Sequence, residues 1–341
     1  MLLYTVKLAS LAAFLSALLF HVPSTLAGQK LEFVSTGKTP QYLYNNLPRQ
    51  DLSASAYHNG RAFFGFDGGK NADFPEIRST KIEGIQEPAK QLQRQIVQKD
   101  MEGATYIDGN YVFTSSLSQT NEDTADYRVL ASFKIDDEEK VVSERYVYAR
   151  EKVLNALVEN FGANDWAKRM LISFGKLGGL NVEALSISHK KGDYLVMGLR
   201  SPLWHNQFGA PVLNNKLSLN KGDAIFVEWH RPFDEKPTLK VTTVDLDNQG
   251  IRGMEYIPSL RGYIIISGPV QKAKNFNLWF YDPFTNKSKK LAANEKAFKH
   301  LCRPETILHI EEEARIFVLS EESGKACSTS KYNYVEYKYK P

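Results

Sequence analysis

Short apolar runs recur along the chain in pairs, and a turn joins each pair. The clearest pair spans residues 100–116 and is centred on Asp108 and Gly109. An Asp-Gly pair favours a two-residue hairpin turn, because both central positions of that turn need a positive φ. The same order of acidic residue, strand, turn and strand returns downstream, at residues 181–200, 252–268 and 303–320. A degenerate copy at residues 53–66 has Ser53 in the acidic position.

The spacing of these hairpins predicts a ring of similar units. The intervals between the acidic positions are 49, 81, 72 and 50 residues, counting from Ser53 to Glu305. A unit of about 50 residues is typical of a four-stranded propeller blade with long loops. A β-sandwich or two separate β domains would also show short strands with turns. Neither explains why an acidic residue recurs at the same position of successive hairpins. The sequence therefore predicts an all-β fold, a β-propeller with five visible repeats and five or six blades.

The longest interval contains a predicted helical insertion, around residues 149–178. Apolar residues there follow helical spacing in two groups separated by Gly162. Runs typical of outer strands lie between the hairpins, at residues 127–135, 141–148, 224–229, 239–244 and 276–281. A last run at residues 333–339 is predicted to close the ring against the segment near residues 31–34, which would remove exposed sheet edges.

The first 27 residues have the pattern of an export signal. Lys7 is the only charge, residues 8–20 form an uncharged apolar run, and small residues precede Gly28. A helix of that run rises roughly 20 Å, which is short for a bilayer core of about 30 Å. We expect cleavage after Ala27, leaving one propeller domain over residues 28–341 in the periplasm or outside the cell, with no membrane span. An uncleaved anchor or a buried helix is the alternative.

The cysteines and the overall charge narrow the class of protein. Cys302 and Cys327 are the only two cysteines. In an oxidising compartment they would form a disulfide that stabilises the fold by about 3 kcal/mol, and two separate buried thiols are the alternative. The net charge is only +4 and no dense basic stripe is present. Nucleic acid is therefore not expected as a partner.

An ordered set of motifs resembles a known family. The motifs are GLNVEALS at 179–186, LVMGLRSPL at 195–203, DLDNQGIRGME at 245–255, IIISGP at 264–269 and RPET at 303–306. Together they resemble the bacterial domain of unknown function numbered 3616, over roughly residues 100–320. That family is similar in its Asn-x-Glu-(Gly/Ala)-Leu strands to propeller groups that include phytase-like esterases and lactonase-like proteins. The resemblance implies a β-propeller and leaves the activity open, and Ser53 and the helical insertion depart from the family pattern.

The recurring charged residues form the candidate site. Because the first strand of each blade lines the channel, equivalent positions should gather at one channel mouth. The residues expected there are Glu102, Asn181, Glu183, Arg200, Arg252, Glu255, Arg303 and Glu305. Carboxylates held together repel, so their charges must be offset. If a metal ion offsets them, the carboxylates expected to bind it are those of Glu102, Glu183, Glu255 and Glu305.

Three arrangements would offset the repulsion. The arginines could pair with the glutamates in a ring of forked hydrogen bonds, which needs no function. A hard cation such as calcium could bind several carboxylate oxygens. One carboxyl could instead keep its proton and act as a general acid or base, and Glu183 and Glu255 are the candidates for that catalytic role.

Two functions follow from these arrangements. The first is an exported propeller that presents the charged channel mouth to a small ligand or a protein partner. The alternative is a calcium-assisted hydrolase of phosphate esters or lactones, with a glutamate as the base. The sequence has no Gly-x-Ser-x-Gly elbow and no phosphate-binding Gly-rich loop with Lys and Ser/Thr. Whether the protein is an enzyme stays open at this point.

Overall fold

The structure is a computed structural model, and only part of the chain is described. The described residues are 31–38, 52–66, 77–81, 90–119, 125–163, 165–175, 178–190, 192–205, 212–213, 216–217, 222–271, 275–291, 295–321, 327, 330 and 332–341. The predicted export signal at residues 1–27 lies outside them.

Five antiparallel sheets of four strands form the ring of a β-propeller. The first strand along the chain, β1 (Glu32–Gly37), belongs to the last blade. Blade 1 contains β2–β5, at Leu52–His58, Arg61–Phe66, Ile77–Lys81 and Lys90–Gln91. Blade 2 contains β6–β9, at Met101–Ile107, Asn110–Ser115, Val129–Ile135 and Val141–Tyr148. The predicted propeller is therefore confirmed, and it has five blades.

The remaining blades follow the same plan. Blade 3 contains β10, β11, β14 and β15, at Asn181–Ile187, Tyr194–Trp204, Asp223–His230 and Thr238–Val244. A small hairpin, β12–β13, comes before β14, at Val212–Leu213 and Lys216–Leu217. Blade 4 contains β16–β19, at Gly250–Ile257, Gly262–Gly268, Asn277–Asp282 and Lys287–Lys290. Blade 5 contains β20–β22, at Pro304–Ile310, Arg315–Ser320 and Tyr334–Lys338, and is completed by β1.

The ring closes by pairing strands from the two ends of the described chain. Strand β1 pairs antiparallel with β22, so that Glu32 faces Lys338 and Gly37 faces Tyr334. This is the closure predicted from the alternating run near residue 333. A hydrogen bond from Ser35 Oγ to Glu336 Oε2, at 2.7 Å, connects the same two strands.

Helices lie mainly between blades 2 and 3, where the insertion was predicted. Helix α1 is Arg150–Phe161 and helix α2 is Asp165–Ile172, and a short helix α3, Glu295–Lys299, precedes blade 5. Val153 and Leu157 of α1 are fully buried in the core between blades 2 and 3. The apolar side of the insertion thus packs against two blades.

The core is divided among the interfaces between blades. Five apolar clusters occur, one at each of the five interfaces. Trp229, Phe113 and Phe64 are among the largest fully buried side chains, and each lies on a strand of a different blade. Since every blade buries apolar surface on both faces, no single blade would be stable alone.

The first strands of the five blades, β2, β6, β10, β16 and β20, are called the inner strands, and each contacts the inner strand of the next blade. Each inner strand has a β-bulge near its start, where one extra residue interrupts the pairing. The residues at the bulges are Ser53, Glu102, Glu183, Arg252 and Glu305. The bulge marks equivalent positions, so in blade 4 the equivalent of the other glutamates is Arg252.

Glycines let the inner strands of neighbouring blades approach closely. Gly103 and Gly253 each follow a bulge residue. A Cβ atom at Gly103 would lie 2.5 Å from the backbone N of Leu185, and one at Gly253 would lie 2.6 Å from the backbone O of Glu305. The channel is therefore narrow where the bulge residues meet.

The predicted disulfide is present. Cys302 and Cys327 are joined, with their Cα atoms 5.4 Å apart. Cys302 comes just before inner strand β20, and Cys327 lies between β21 and β22. The disulfide thus ties together two connections of the closing blade.

Candidate functional site

Glu183 is the centre of a buried ion network at the end of the channel where the inner strands begin. The Glu183 side chain is 2% exposed, and its two oxygens accept hydrogen bonds from different arginines. Arg200 Nη1 donates to Oε1 at 2.6 Å, and Arg252 Nη1 donates to Oε2 at 2.5 Å. Asn181 Nδ2 also donates to Oε1, at 3.0 Å. Arg252 reaches on to Glu305, with Nη1 and Oε2 3.3 Å apart.

The pKa values of the two carboxyl groups of this network are shifted in opposite directions. Burial raises the pKa of Glu183, but Arg200 and Arg252 outweigh burial and hold that pKa below its ordinary value. Burial raises the pKa of Glu305 well above its ordinary value, because its longer contact with Arg252 offsets burial only in part. Glu183 is therefore the ionised partner of the arginines, and Glu305 retains a proton more readily.

The network joins three blades. Glu183 comes from blade 3, Arg252 from blade 4 and Glu305 from blade 5. Arg200 Nε donates to the backbone O of Val270, at 3.1 Å, which fixes the arginine in a second direction. Of the three predicted arrangements, the geometry of these residues matches the ring of paired arginines and glutamates.

Two further residues predicted for this mouth contribute differently. Glu102, on blade 2, is partly buried, and its charge helps to raise the pKa of Arg252. Arg303 forms an ion pair with Glu321, which directly follows β21. Within the described ranges, no three Asp, Glu, His or Cys side chains come close enough together to hold a metal ion.

Glu255 does not join the other glutamates, so the expectation of four glutamates at one mouth is wrong. Glu255 lies three residues beyond Arg252 on β16 and hence about 10 Å further along the strand. Matching the repeats by residue type pairs Glu255 with the glutamates of the other blades, but the bulge shows that Arg252 occupies the equivalent position in blade 4. Glu255 lies instead at the opposite end of the channel, where the inner strands run into their hairpin turns.

A cavity of about 180 Å³ opens at this hairpin end. All five inner strands contribute to its lining, and the turn after β20 adds two glutamates. The lining includes Tyr57, His58, Tyr106, Ile187, Glu255, Tyr256, His309, Glu311 and Glu312. No lysine or arginine occurs in this lining within the part of the chain that the structure describes. The cavity is thus aromatic and acidic.

The lining side chains hold one another in place. The rings of His58 and Tyr106 are stacked, with their centroids 3.7 Å apart. His309 Nε2 lies 2.7 Å from Tyr339 Oη and 3.0 Å from Glu311 Oε2. These contacts fix the aromatic wall before any ligand arrives, and such preorganisation lowers the entropic cost of binding.

The pKa of Glu255 is strongly shifted in this cavity. Burial raises its pKa well above the ordinary value, the hydrogen bond from Ser186 lowers it, and the charge of Glu311 raises it further. Ser186 Oγ also accepts a hydrogen bond from the Tyr256 backbone N–H, at 2.8 Å, which positions the serine. The result is a carboxyl group that keeps its proton at a higher pH than an exposed glutamate.

The aromatic residues of this cavity were not among the predicted site residues, although the sequence contains a signal for them. Four residues after each bulge residue stand Tyr57, Tyr106, Ile187, Tyr256 and His309. Aligning Glu255 with the other glutamates shifts blade 4 by three residues and hides this row. With Arg252 as the equivalent position, the row of aromatic and histidine residues could have been read from the sequence.

The raised pKa values predict how stability depends on pH. Glu255 and Glu305 bind protons more tightly in the folded state, so the stability they contribute is complete below their ordinary pKa of 4.5 and is lost as the pH rises through their folded pKa. Glu183 behaves oppositely, and its contribution is lost as the pH falls below 4.5 through its lowered pKa. We expect the thermal midpoint to decrease as the pH rises above 4.5, and to decrease less in Glu255→Gln than in the wild type. An equal fall in both proteins, measured by circular dichroism, would contradict this assignment.

Comparisons with known proteins do not assign the chain to a family. No protein-family model matches the chain, and no curated protein has significant similarity to it. The resemblance to the domain of unknown function numbered 3616 therefore stays a prediction. Across the part of the chain that the structure describes, no helix is both long and apolar enough to cross a membrane.

Proposed function

We propose that the protein is an exported β-propeller that binds a small molecule in the cavity at the hairpin end of its channel. The observation that carries the proposal is the cavity of about 180 Å³ to which all five inner strands contribute. A cavity with a few polar groups among aromatic side chains is the usual form of a small-molecule site. Its volume lies below the roughly 300–1,000 Å³ of drug-sized pockets, so the ligand is the size of a small metabolite.

The ion network at the other end has a structural role in this proposal. Both oxygens of Glu183 already accept hydrogen bonds from arginines, so a ligand or calcium would have to displace an arginine to use them. Calcium binding at this end stays a prediction. Calorimetric titration of the wild type and of Glu183→Gln with calcium tests it. The export part of the proposal rests on the signal pattern of residues 1–27 and is supported by the disulfide, which is typical of oxidising compartments.

Hydrolysis of phosphate esters or lactones is the second candidate. The observation that favours it is the raised pKa of Glu255, since a carboxyl that keeps its proton can donate it to a leaving group. The substrate would occupy the same cavity. Glu183, the other catalytic candidate, is held ionised between two arginines and is poorly suited to carry a proton.

A cavity-filling substitution tests the proposed site. Ile187 is the one member of the aromatic row without a ring, and Ile187→Trp would fill the cavity. Val142→Trp is the matched control, because Val142 is 59% exposed on β9. A thermal-shift screen would cover organic cations, sugars, carboxylic acids, phosphate esters and lactones. We expect hits with wild type and Val142→Trp but none with Ile187→Trp, since a ligand at about a hundredfold its Kd stabilises by about 2.7 kcal/mol.

The same screen separates the alternatives. Hits that persist in Ile187→Trp would place the binding site elsewhere and overturn the proposal. Product release from a phosphate ester or a lactone, lost in Glu255→Gln, would establish the hydrolase.

A further inference from the structure

The charges around the hairpin-end cavity indicate which ligands it can accept. Among the described residues, the carboxyl groups of Glu255, Glu311 and Glu312 line it, and no lysine or arginine does. Glu311 ionises readily, because its hydrogen bond with His309 lowers its pKa. An anionic ligand would meet like charges, and no described lysine or arginine of the lining would offset them, so phosphate esters and carboxylates are disfavoured.

The aromatic rings of the lining are the second feature of the cavity that favours a cationic ligand. Tyr57, Tyr106 and Tyr256 come from three different blades and line the same cavity of about 180 Å³. An aromatic ring attracts a cation over its face, and several rings around a quaternary or primary ammonium group form a cage. A carboxylate beside such a cage adds a charge-assisted contact.

We propose that the cavity binds an organic ammonium cation, held among the rings of Tyr57, Tyr106 and Tyr256 with Glu255 as the counter-charge. This inference rests on the proposed function and names its ligand class. An uncharged sugar could stack on the same rings, but it would gain little from the carboxyl groups.

Binding of a cation should expel a proton. Glu255 accepts a hydrogen bond from Ser186 of β10 and shares the cavity with Tyr256 of its own strand. The titratable groups that line the cavity from the other elements are Tyr57, His58, Tyr106, His309, Glu311 and Glu312. Burial, and in smaller part the charge of Glu311, raises the pKa of Glu255 and favours its neutral form, and none of these lining groups carries a permanent positive charge. An ammonium ligand favours the ionised form, and the proton of Glu255 leaves to solvent as the cation enters.

The test uses choline and its uncharged isostere, in which carbon replaces nitrogen. Calorimetry of the wild type in two buffers with different ionisation enthalpies measures both the affinity and the protons released. The variants are Glu255→Gln, Tyr106→Leu and, as a control for the loss of one carboxylate, Glu159→Gln on the exposed side of α1. The thermal midpoint of each variant shows whether it is folded.

We expect choline to bind the wild type and Glu159→Gln with proton release, and more tightly as the pH rises. The isostere should bind at least about tenfold more weakly. Glu255→Gln should lose the proton release and at least about tenfold in affinity, and Tyr106→Leu should lose affinity but keep the proton release.

Two results would overturn the inference. In the first, the isostere or an uncharged sugar, methyl glucoside, binds as tightly as choline, and Ile187→Trp abolishes that binding. The cavity would then be a ligand site without a preference for cations, so the proposed function would stand and the cation inference would fail. If choline does not bind the folded wild type at all, the cation inference fails, and the cavity-filling screen decides the proposed function separately.

Discussion

Replacing Glu183 by Gln is expected to destabilise the propeller by about 3–5 kcal/mol, the usual cost of removing one partner from a buried ion pair. Gln has nearly the shape of Glu but no charge. Arg252, which is 5% exposed, would lose its closest partner, and Arg200 would lose the same carboxylate. Urea denaturation at neutral pH measures the change as a lower midpoint at an unchanged slope.

Glu305→Gln is the matched control for this prediction. Glu305 contacts the same Nη1 atom of Arg252 at the longer distance of 3.3 Å, and burial raises its pKa, which favours the protonated form. A Gln resembles a protonated Glu, so we expect a loss below about 1 kcal/mol. Equal losses in the two variants would mean that Glu183 and Glu305 share the charge, which contradicts the assignment of Glu183 as the ionised partner.

Loss of the Cys302–Cys327 disulfide is expected to cost about 3 kcal/mol. The two cysteines are 25 positions apart, and the loop they close contains the hairpin of β20 and β21. Opening this loop gives the unfolded chain more freedom, which stabilises the unfolded state. The measurement is the urea midpoint of the double variant Cys302→Ser, Cys327→Ser beside the oxidised wild type.

Reduction of the wild type provides an independent control. The reduced wild type should match the double variant, and the double variant should not respond to reductant. If thiol titration shows full reduction and the midpoint of the wild type is unchanged, the disulfide does not contribute to stability.

The sequence was sufficient to predict the propeller because its hairpins repeat. Asp108-Gly109 and the other turns separate short apolar strands, and the alternating run near residue 333 predicted the closing strand. The pairing of arginines with glutamates could also be expected, since Arg200 and Arg252 stand in the same hairpins as Glu183.

The exact phase of blade 4 could not be predicted in the same way. Matching residue types aligns Glu255 with Glu183, whereas the bulge aligns Arg252 with it. A bulge is visible only in the pairing of two strands, and side chains three positions apart on a strand point to opposite faces. The charge difference between Glu183 and Glu305 was equally hidden, because it depends on their distances to one Arg252 nitrogen.

The pairing of β1 with β22 has a consequence for how the chain reaches its native state. Ser35 and Glu336, which bond across these strands, are 301 positions apart. The entropic cost of bringing such distant segments together must be met before their contacts contribute, so folding should be slow compared with that of helical proteins. Blade 5 cannot be completed until residue 338 has been synthesised, and until then its β21 edge is open to pairing with other chains. Strand β22, which joins β1 to β21 and so completes blade 5, is therefore also the strand whose late synthesis determines how long the β21 edge stays open to aggregation.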